Sequence, residues 1–334
     1  MKILFLFTGG TIGSTASGAY IGIDSDKPYL LLQQYEKRYG INFLYETAAP
    51  YTALSENNTG DTLRLLCEAV RDRLADGFDG IVVMHGTDTL QYSAAALSYT
   101  LADVKIPVVL VSSNEPIESP TANGLANLHG AIPFIREVGT AGVFVSYQNQ
   151  GEDLKIHRGT RLLASPAFSD AVYSIYDSFY GSFPTDGCFL KNPACRELPD
   201  SAEALPTTGL TANCDEILRV LPYPGNPYPT IPAGVRYILH DSYHSGTVNT
   251  ASPAAIDFFE QAKARGVRVF LTGVAHGAAY ESTRPFQRLG VEPLFGIAPI
   301  AAFLKLWLLS AANPRVPITA EVLQASLAAD VVPQ

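Results

Sequence analysis

Five short segments carry the residue types that do chemistry. Thr8-Gly9-Gly10-Thr11-Ile12-Gly13 directly follows an apolar run, and glycines in such a loop let backbone N–H groups approach a bound group closely. The segment has neither the Gly-Lys-Ser/Thr of a phosphate loop nor the GxGxxG of a dinucleotide loop, so a ligand loop and a plain tight turn are equal readings of it. His85-Gly86-Thr87-Asp88-Thr89 stands in the same relation to the apolar run 81–84. A hydroxyl beside a carboxylate can orient and activate a water or another hydroxyl once a third group holds the pair. Thr87 and Asp88 form such a pair, although an Asp in this place more often caps the helix that the sequence predicts across 92–101. Ser55-Glu56-Asn57-Asn58-Thr59 and Ser112-Ser113-Asn114 offer small polar groups suited to a small zwitterion, and Gly18-Ala19-Tyr20 suits a mobile lid. Each of these three also reads as ordinary loop.

These segments need strands to hold them. Apolar, β-rich runs at 3–7, 81–84, 108–111 and 142–145 alternate with helical spacing at Leu63, Leu66, Val70 and Leu74. Continuous apolar strands covered on both faces and joined by helices predict a parallel sheet with right-handed crossovers. From 183 to 232 the pattern breaks into scattered Pro, Gly, Asn and Thr, ending in Pro222-Tyr223-Pro224-Gly225-Asn226-Pro227-Tyr228-Pro229, which continues neither a helix nor a central strand. Alternation then resumes: a strand at 237–240, a helix at 253–265 opened by Pro253, a strand at 267–271 and a helix at 301–309. The reading is α/β throughout, with a larger N-terminal parallel-sheet domain over 1–190, a Pro-rich connection over 191–232 and a smaller C-terminal α/β domain over 233–334.

Composition narrows the function. The 334 residues suit about two domains at ~150 residues each. Hydrophobic residues make up 47% and charged ones 16%, which excludes intrinsic disorder. The formal charge is −9 with no Lys/Arg block, so neither a nucleic acid nor an anionic membrane is an expected partner. The apolar run 3–7 stops too soon for a signal peptide, and the greasiest stretch, 298–309, is interrupted by Pro299 and Lys305. A cytoplasmic location is the expectation. Cys67, Cys188, Cys195 and Cys214 show no CxxC spacing, so reduced thiols are expected rather than a zinc or redox site. His240, His244 and His276 form no metal signature and read as structural.

Taken together, Thr-Gly-Gly-Thr-Ile-Gly at 8–13 and His-Gly-Thr-Asp-Thr at 85–89 resemble the two signatures of the bacterial-type L-asparaginase family. Asn123-Gly124-Leu125-Ala126-Asn127-Leu128 is similar to that family's Asp-Gly-x-x-Asn-Leu segment, and Arg158-Gly159-Thr160-Arg161 to its Arg-Gly-Asn-Arg. Essentially the whole chain is covered. The resemblance implies an amidohydrolase acting on an amino-acid side-chain amide, with no metal or organic cofactor, its site at the domain junction of a homodimer or homotetramer. It implies Thr11 as the nucleophile that becomes an acyl-enzyme, Tyr20 as the lid residue that activates it, and Thr87 with Asp88 as the second catalytic pair. Asn57 and Asn58 would take the substrate's α-carboxylate, Asp88 its α-ammonium, and Gly86 and Ser113 would complete the binding set. Asn249 and Glu281 lie near positions that some relatives use to reach a neighbouring protomer's site.

Three departures from the family pattern surround the same pocket. Ala164 stands where a lysine completes the family's Thr-Asp-Lys relay, leaving Lys155, His157 and Arg158 as replacements within the segment. Asn57-Asn58 replaces Ser with Ser or Gln, and Thr59 or Asp61 stands for the Asp that follows. Ser112-Ser113 replaces Thr-Gly or Gly-Ala. The alternative reading is a catalytically silent member that binds an amino acid or related metabolite. A third, the amidotransferase component acting on misacylated tRNA, is disfavoured by the acidic charge and the lack of an extra amino-terminal domain.

Overall fold

A computed structural model describes residues 1–9, 14–17, 20–23, 29–184, 187–200, 203–277, 280–312 and 314–333. In chain order the first part comprises β1 (Lys2–Phe7), the hairpin β2 (Ser14–Ser17) and β3 (Tyr20–Ile23), α1 (Leu30–Tyr39), β4 (Leu44–Ala48), α2 (Gly60–Arg71), β5 (Gly80–Met84), α3 (Leu90–Thr100), β6 (Pro107–Val111), α4 (Gly124–Pro133) and β7 (Gly142–Gln148). Three further strands follow: β8 (Leu154–Arg158), β9 (Gly181–Phe183) and β10 (Leu190–Lys191). The second part holds β11 (Ile217–Val220), β12 (Tyr237–Asp241), α5 (Pro253–Ala264), β13 (Arg268–Val274), α6 (Phe286–Leu289), β14 (Val291–Phe295), α7 (Pro299–Ala312) and α8 (Ala320–Gln324).

The first sheet has eight strands in the order β10-β9-β8-β7-β6-β5-β1-β4. Its central strands β1, β5, β6 and β7 are apolar because both faces are covered, and the two-residue period divides their side chains between two cores. Ile3, Phe5, Phe7, Val82 and Met84 pack with α1 and α4, whereas Leu4, Leu6, Ile81 and Val83 pack with α2 and α3. The expected parallel sheet is corrected at one side. β4, β1, β5, β6 and β7 are parallel, but β7–β8, β8–β9 and β9–β10 are antiparallel, because the short 149–153 connection from β7 allows a hairpin and no crossover helix. Helix α2 ends at Arg71, so Leu74 lies in the turn beyond it.

The second sheet is fully parallel in the order β11-β12-β13-β14. Its first strand, β11, falls inside the stretch 191–232 read as connection. Ile217, Tyr237, Leu239, Phe270 and Leu294 from one face join α3 and α7 in the first domain's core, and Ile238, Val269 and Leu271 on the other pack against α5. The C-terminal residues return to the first domain. Asp330 accepts from Lys305 Nζ at 2.7 Å and from Tyr99 OH at 2.9 Å. The fully buried Arg161 donates to Ala329 O and Arg196 O, both at 2.8 Å.

Candidate functional site

The strand order of the first sheet reverses at β1, which pairs with β4 on one side and β5 on the other. Carboxyl ends at such a reversal flank an open crevice, the preferred ligand position of parallel sheets. Thr8-Gly9 and the loop 85–89 leave the sheet there.

At the end of β1, the N–H and hydroxyl of Thr8 both donate to Met84 O, at 3.1 and 2.9 Å, while Ala53 N donates to Thr8 O at 3.0 Å. Gly9 has φ +92° and a Cβ there would lie 2.5 Å from Ala53 O, so only glycine fits. Thr11 lies outside the described residues. Of Tyr20 only the backbone, which opens β3, is described.

After β5, His85 is fully buried with Nδ1 2.7 Å from Gly86 O and Nε2 2.8 Å from Ser93 Oγ. A carbonyl only accepts, so Nδ1 carries the proton and Nε2 accepts from Ser93. Burial lowers the His85 pKa and keeps the ring neutral. The imidazole thus anchors the loop to α3. Asp88 is exposed and accepts from Ser55 Oγ at 3.0 Å. The capping reading is corrected: Thr89 occupies the cap position of α3 without a side-chain cap bond. Its hydroxyl instead donates to Ser55 O at 2.9 Å and accepts from Asn58 Nδ2 at 3.0 Å. Thr87 is half-buried.

Ser55, Asp88, Thr89 and Asn58 therefore form one bonded cluster that joins the turn 55–57 to the loop 85–89. The family resemblance implies a binding role for Asn57 and Asn58; of the two, Asn58 is in the cluster and Asn57 is exposed to solvent. Ser55, 3% exposed, stands in the polar segment 55–59 with no role of its own marked by the sequence. No spacing rule marks it, because its inward direction comes from the three-residue turn itself. Asn58 Oδ1 is buried with no partner among the described residues.

Gly86 is buried beside His85. Ser113 is not drawn into the cluster: it is fully buried and donates to Glu115 O at 2.6 Å. Ser112 Oγ is buried without a partner among the described residues. Asn127 donates to Ser112 O and accepts from Gln148 N, at 2.8 and 2.7 Å, stapling the ends of β6 and β7. Beside this staple an open cavity of about 750 Å³ is lined by Asn114, Asn123, Gln148, Glu152, Asp170 and Tyr173.

Ala164 is exposed, and the three possible replacements for a lysine there are engaged elsewhere. Lys155 pairs with Glu152 at 2.6 Å. Arg158 pairs with Glu197 through two nitrogens at 2.8 and 3.2 Å. His157 is buried, bonds Ser174 Oγ at 2.8 Å, and is lowered by desolvation from 6.5 to about 3, so it is neutral at physiological pH. Asn249 Oδ1 accepts from Ala251 N and Ser252 N at 3.0 and 2.9 Å, which turns the chain into α5. Glu281 is exposed and pairs with Arg284 at 3.3 Å. Among the described residues no cluster of three His, Cys, Asp or Glu is arranged to hold a metal, and no helix is long and apolar enough to cross a membrane.

Comparison with known proteins agrees with this fold. The chain is 29% identical over 275 residues to a component of the glutamyl-tRNA(Gln) amidotransferase of Sulfurisphaera tokodaii, covering 78% of this chain and 60% of that protein. It is 35% identical over 164 residues to the L-asparaginase of Thermococcus kodakarensis, covering 48% of this chain and 47% of that one. The chain thus spans about 60% of the first relative's length. For the fold, the thermostable L-asparaginase structure from Thermococcus kodakarensis superposes with a TM-score of 0.78 at 24% identity, covering 100% of both chains. L-asparaginase I from Vibrio cholerae superposes with a TM-score of 0.74 at 22% identity, over 99% of this chain and 98% of that one. Residues 2–174, more than half of the chain, match the family described as "Asparaginase, N-terminal", and the protein belongs to the asparaginase family.

Proposed function

We propose that the protein is an amidohydrolase that converts the side-chain amide of L-asparagine, or of a modified relative, to the carboxylate with release of ammonia or an amine. The Thr11 hydroxyl oxygen adds to the amide carbon, the C–N bond breaks as nitrogen takes up a proton, and water then hydrolyses the resulting ester. Backbone N–H groups near Thr11 and Thr87 would stabilise the oxyanion, each by a few kcal/mol. The observation that carries this reading is the bonded cluster at the β1/β5 reversal, where Ser55 and Asn58 fix the Thr87-Asp88-Thr89 loop. With Ala164 in the lysine's place and its neighbours paired elsewhere, proton transfer falls to Thr87, Asp88 and solvent. A cytoplasmic homodimer or homotetramer belongs to the same proposal.

A second reading is favoured by the 29% identity, over 78% of the chain, to a component of a glutamyl-tRNA(Gln) amidotransferase. In that reading the same amide chemistry is performed by the chain as one part of a larger enzyme. The test is ammonia release at neutral pH from L-asparagine, D-asparagine, L-glutamine and N-substituted asparagines, beside Thr11→Ala. Turnover on an asparagine that disappears in the variant supports the first reading, and turnover confined to L-glutamine supports the second. Turnover unchanged by Thr11→Ala removes the nucleophile. No turnover on any amide, with thermal stabilisation by one, rejects hydrolysis in favour of a binding protein.

A further inference from the structure

We infer that Arg219, a residue of the second sheet, is a positioning residue for the Thr87–Asp88 loop of the first sheet and acts through Tyr92; the inference rests on that loop being the reactive site. Three consecutive side chains in the first turn of α3 fan out to three anchors. Gln91 Nε2 reaches back to Asp88 O at 3.4 Å, Ser93 Oγ meets His85 Nε2 at 2.8 Å, and Tyr92 OH accepts from Arg219 Nη1 at 3.2 Å. The first two anchors lie within the loop itself. The third comes from the other domain.

Arg219 is held as firmly as it holds. Its Nη2 donates to Asp241 Oδ2 at 3.1 Å, and the other oxygen of Asp241 accepts from Thr272 Oγ1 at 2.8 Å. The guanidinium lies 5.6 Å from the ring centre of Phe303, and the Tyr92 ring meets Phe303 edge-on at 6.4 Å. β11, β12, β13 and α7 are thus linked to Tyr92 of α3 through Arg219 and Phe303. The two-residue period of β11 makes this possible, because Arg219 shares the face of Ile217, which lies in the core common to both domains. A planar fork reaches Tyr92 and Asp241 with separate nitrogens, which a single ammonium cannot do. Arg219 Nε is buried without a partner among the described residues, so its orientation is set by the two Nη bonds.

The test is amide hydrogen exchange over residues 85–93, with β7 as internal control, in the wild type, Tyr92→Phe, Arg219→Met and Arg219→Lys, together with steady-state amide hydrolysis. Tyr92→Phe removes one oxygen and keeps the ring on Phe303, so it remains a folded probe if Arg219→Met does not. Tyr92→Phe and Arg219→Met are expected to speed exchange at 87–90 several-fold while β7 is unchanged. Arg219→Lys is expected not to restore protection. In catalysis, kcat is expected to fall about ten- to a hundredfold with KM within about twofold, as for a slightly misplaced reacting group. Unchanged exchange at 87–90, or an equal rise in β7, overturns the inference. Exchange needs no substrate, so a wild type that releases no ammonia overturns the amidohydrolase reading without deciding the exchange result.

Discussion

The carboxyl edge of the first sheet ends in Asp88, exposed and held by the neutral hydroxyl of Ser55; the edge of the second ends in Asp241, partly buried and held by Arg219 and Thr272. Both aspartates stand at or just beyond the carboxyl ends of parallel strands and both have threonine neighbours. The first lies where the strand order reverses, the position where ligands gather in parallel sheets. The second sheet runs β11-β12-β13-β14 without reversal, and its edge closes on a cation. On the proposed reading, in which Asp88 is the reactive carboxylate, residue type alone does not mark one. Topology must leave it open, and its partners must leave its oxygens available.

Substituting the two aspartates is the sharpest way to break this comparison. Asp88→Asn is expected to lower amide hydrolysis by about 10²–10⁴-fold, the range for removing a proton-transfer group, with little change in the thermal midpoint. Asp241→Asn is expected to act more weakly, and equal losses in kcat would erase the distinction. The next largest effect concerns stability. Lys305 and Asp330 are 3% and 0% exposed in their side chains, so Lys305→Met, which leaves a buried carboxylate without its cation, should cost about 3–5 kcal/mol in denaturant unfolding. A cost below about 1 kcal/mol would mean that the junction is held elsewhere.

Acid should weaken the fold beneath both sheet edges. His85, His157 and His240 are all lowered by burial. His157 falls from 6.5 to about 3, so its contribution is complete above pH 6.5 and is lost as pH falls toward 3. In that window the unfolded chain binds a proton that the folded chain refuses. Across that window His157 lowers stability by about 1.4 kcal/mol per pH unit. Unfolding free energies at pH 7 and 5 should show this decline, and His157→Asn should flatten it; an identical slope in the variant would contradict the assignment. The smallest effects separate the two neighbouring asparagines. Asn58→Ala should cost about 1 kcal/mol through its lost bond to Thr89, whereas Asn57→Ala should stay within about 0.5 kcal/mol.

Much of this architecture was legible in the residues. Apolar runs located β1, β5, β6, β7, β12 and β13, and Pro253 marked the start of α5. The strands that escaped notice have physical reasons. β4 is almost wholly exposed and carries Leu, Tyr, Glu, Thr and Ala, with no burial pattern to read. β9 and β10 have three and two residues, and β11 sits just ahead of the Pro-rich stretch 222–232 that masks it. At the site, adjacency of Thr87 and Asp88 was visible, but the partner of Asp88 was not. Ser55 lies 33 positions away, and only the fold brings it there. The same limit applied to Lys155, His157 and Arg158, whose pairings with Glu152, Ser174 and Glu197 no spacing announces.

The most direct test of a threonine acyl-enzyme at the β1/β5 reversal is mass spectrometry of acid-quenched turnover with L-asparagine and its N-substituted amides, read on the peptide that contains Thr11. The expected result is ammonia or amine release accompanied by an aspartyl ester on Thr11 that is absent in Thr11→Ala. Release of ammonia with the acyl group on another residue, or no release from any of these amides, would contradict it.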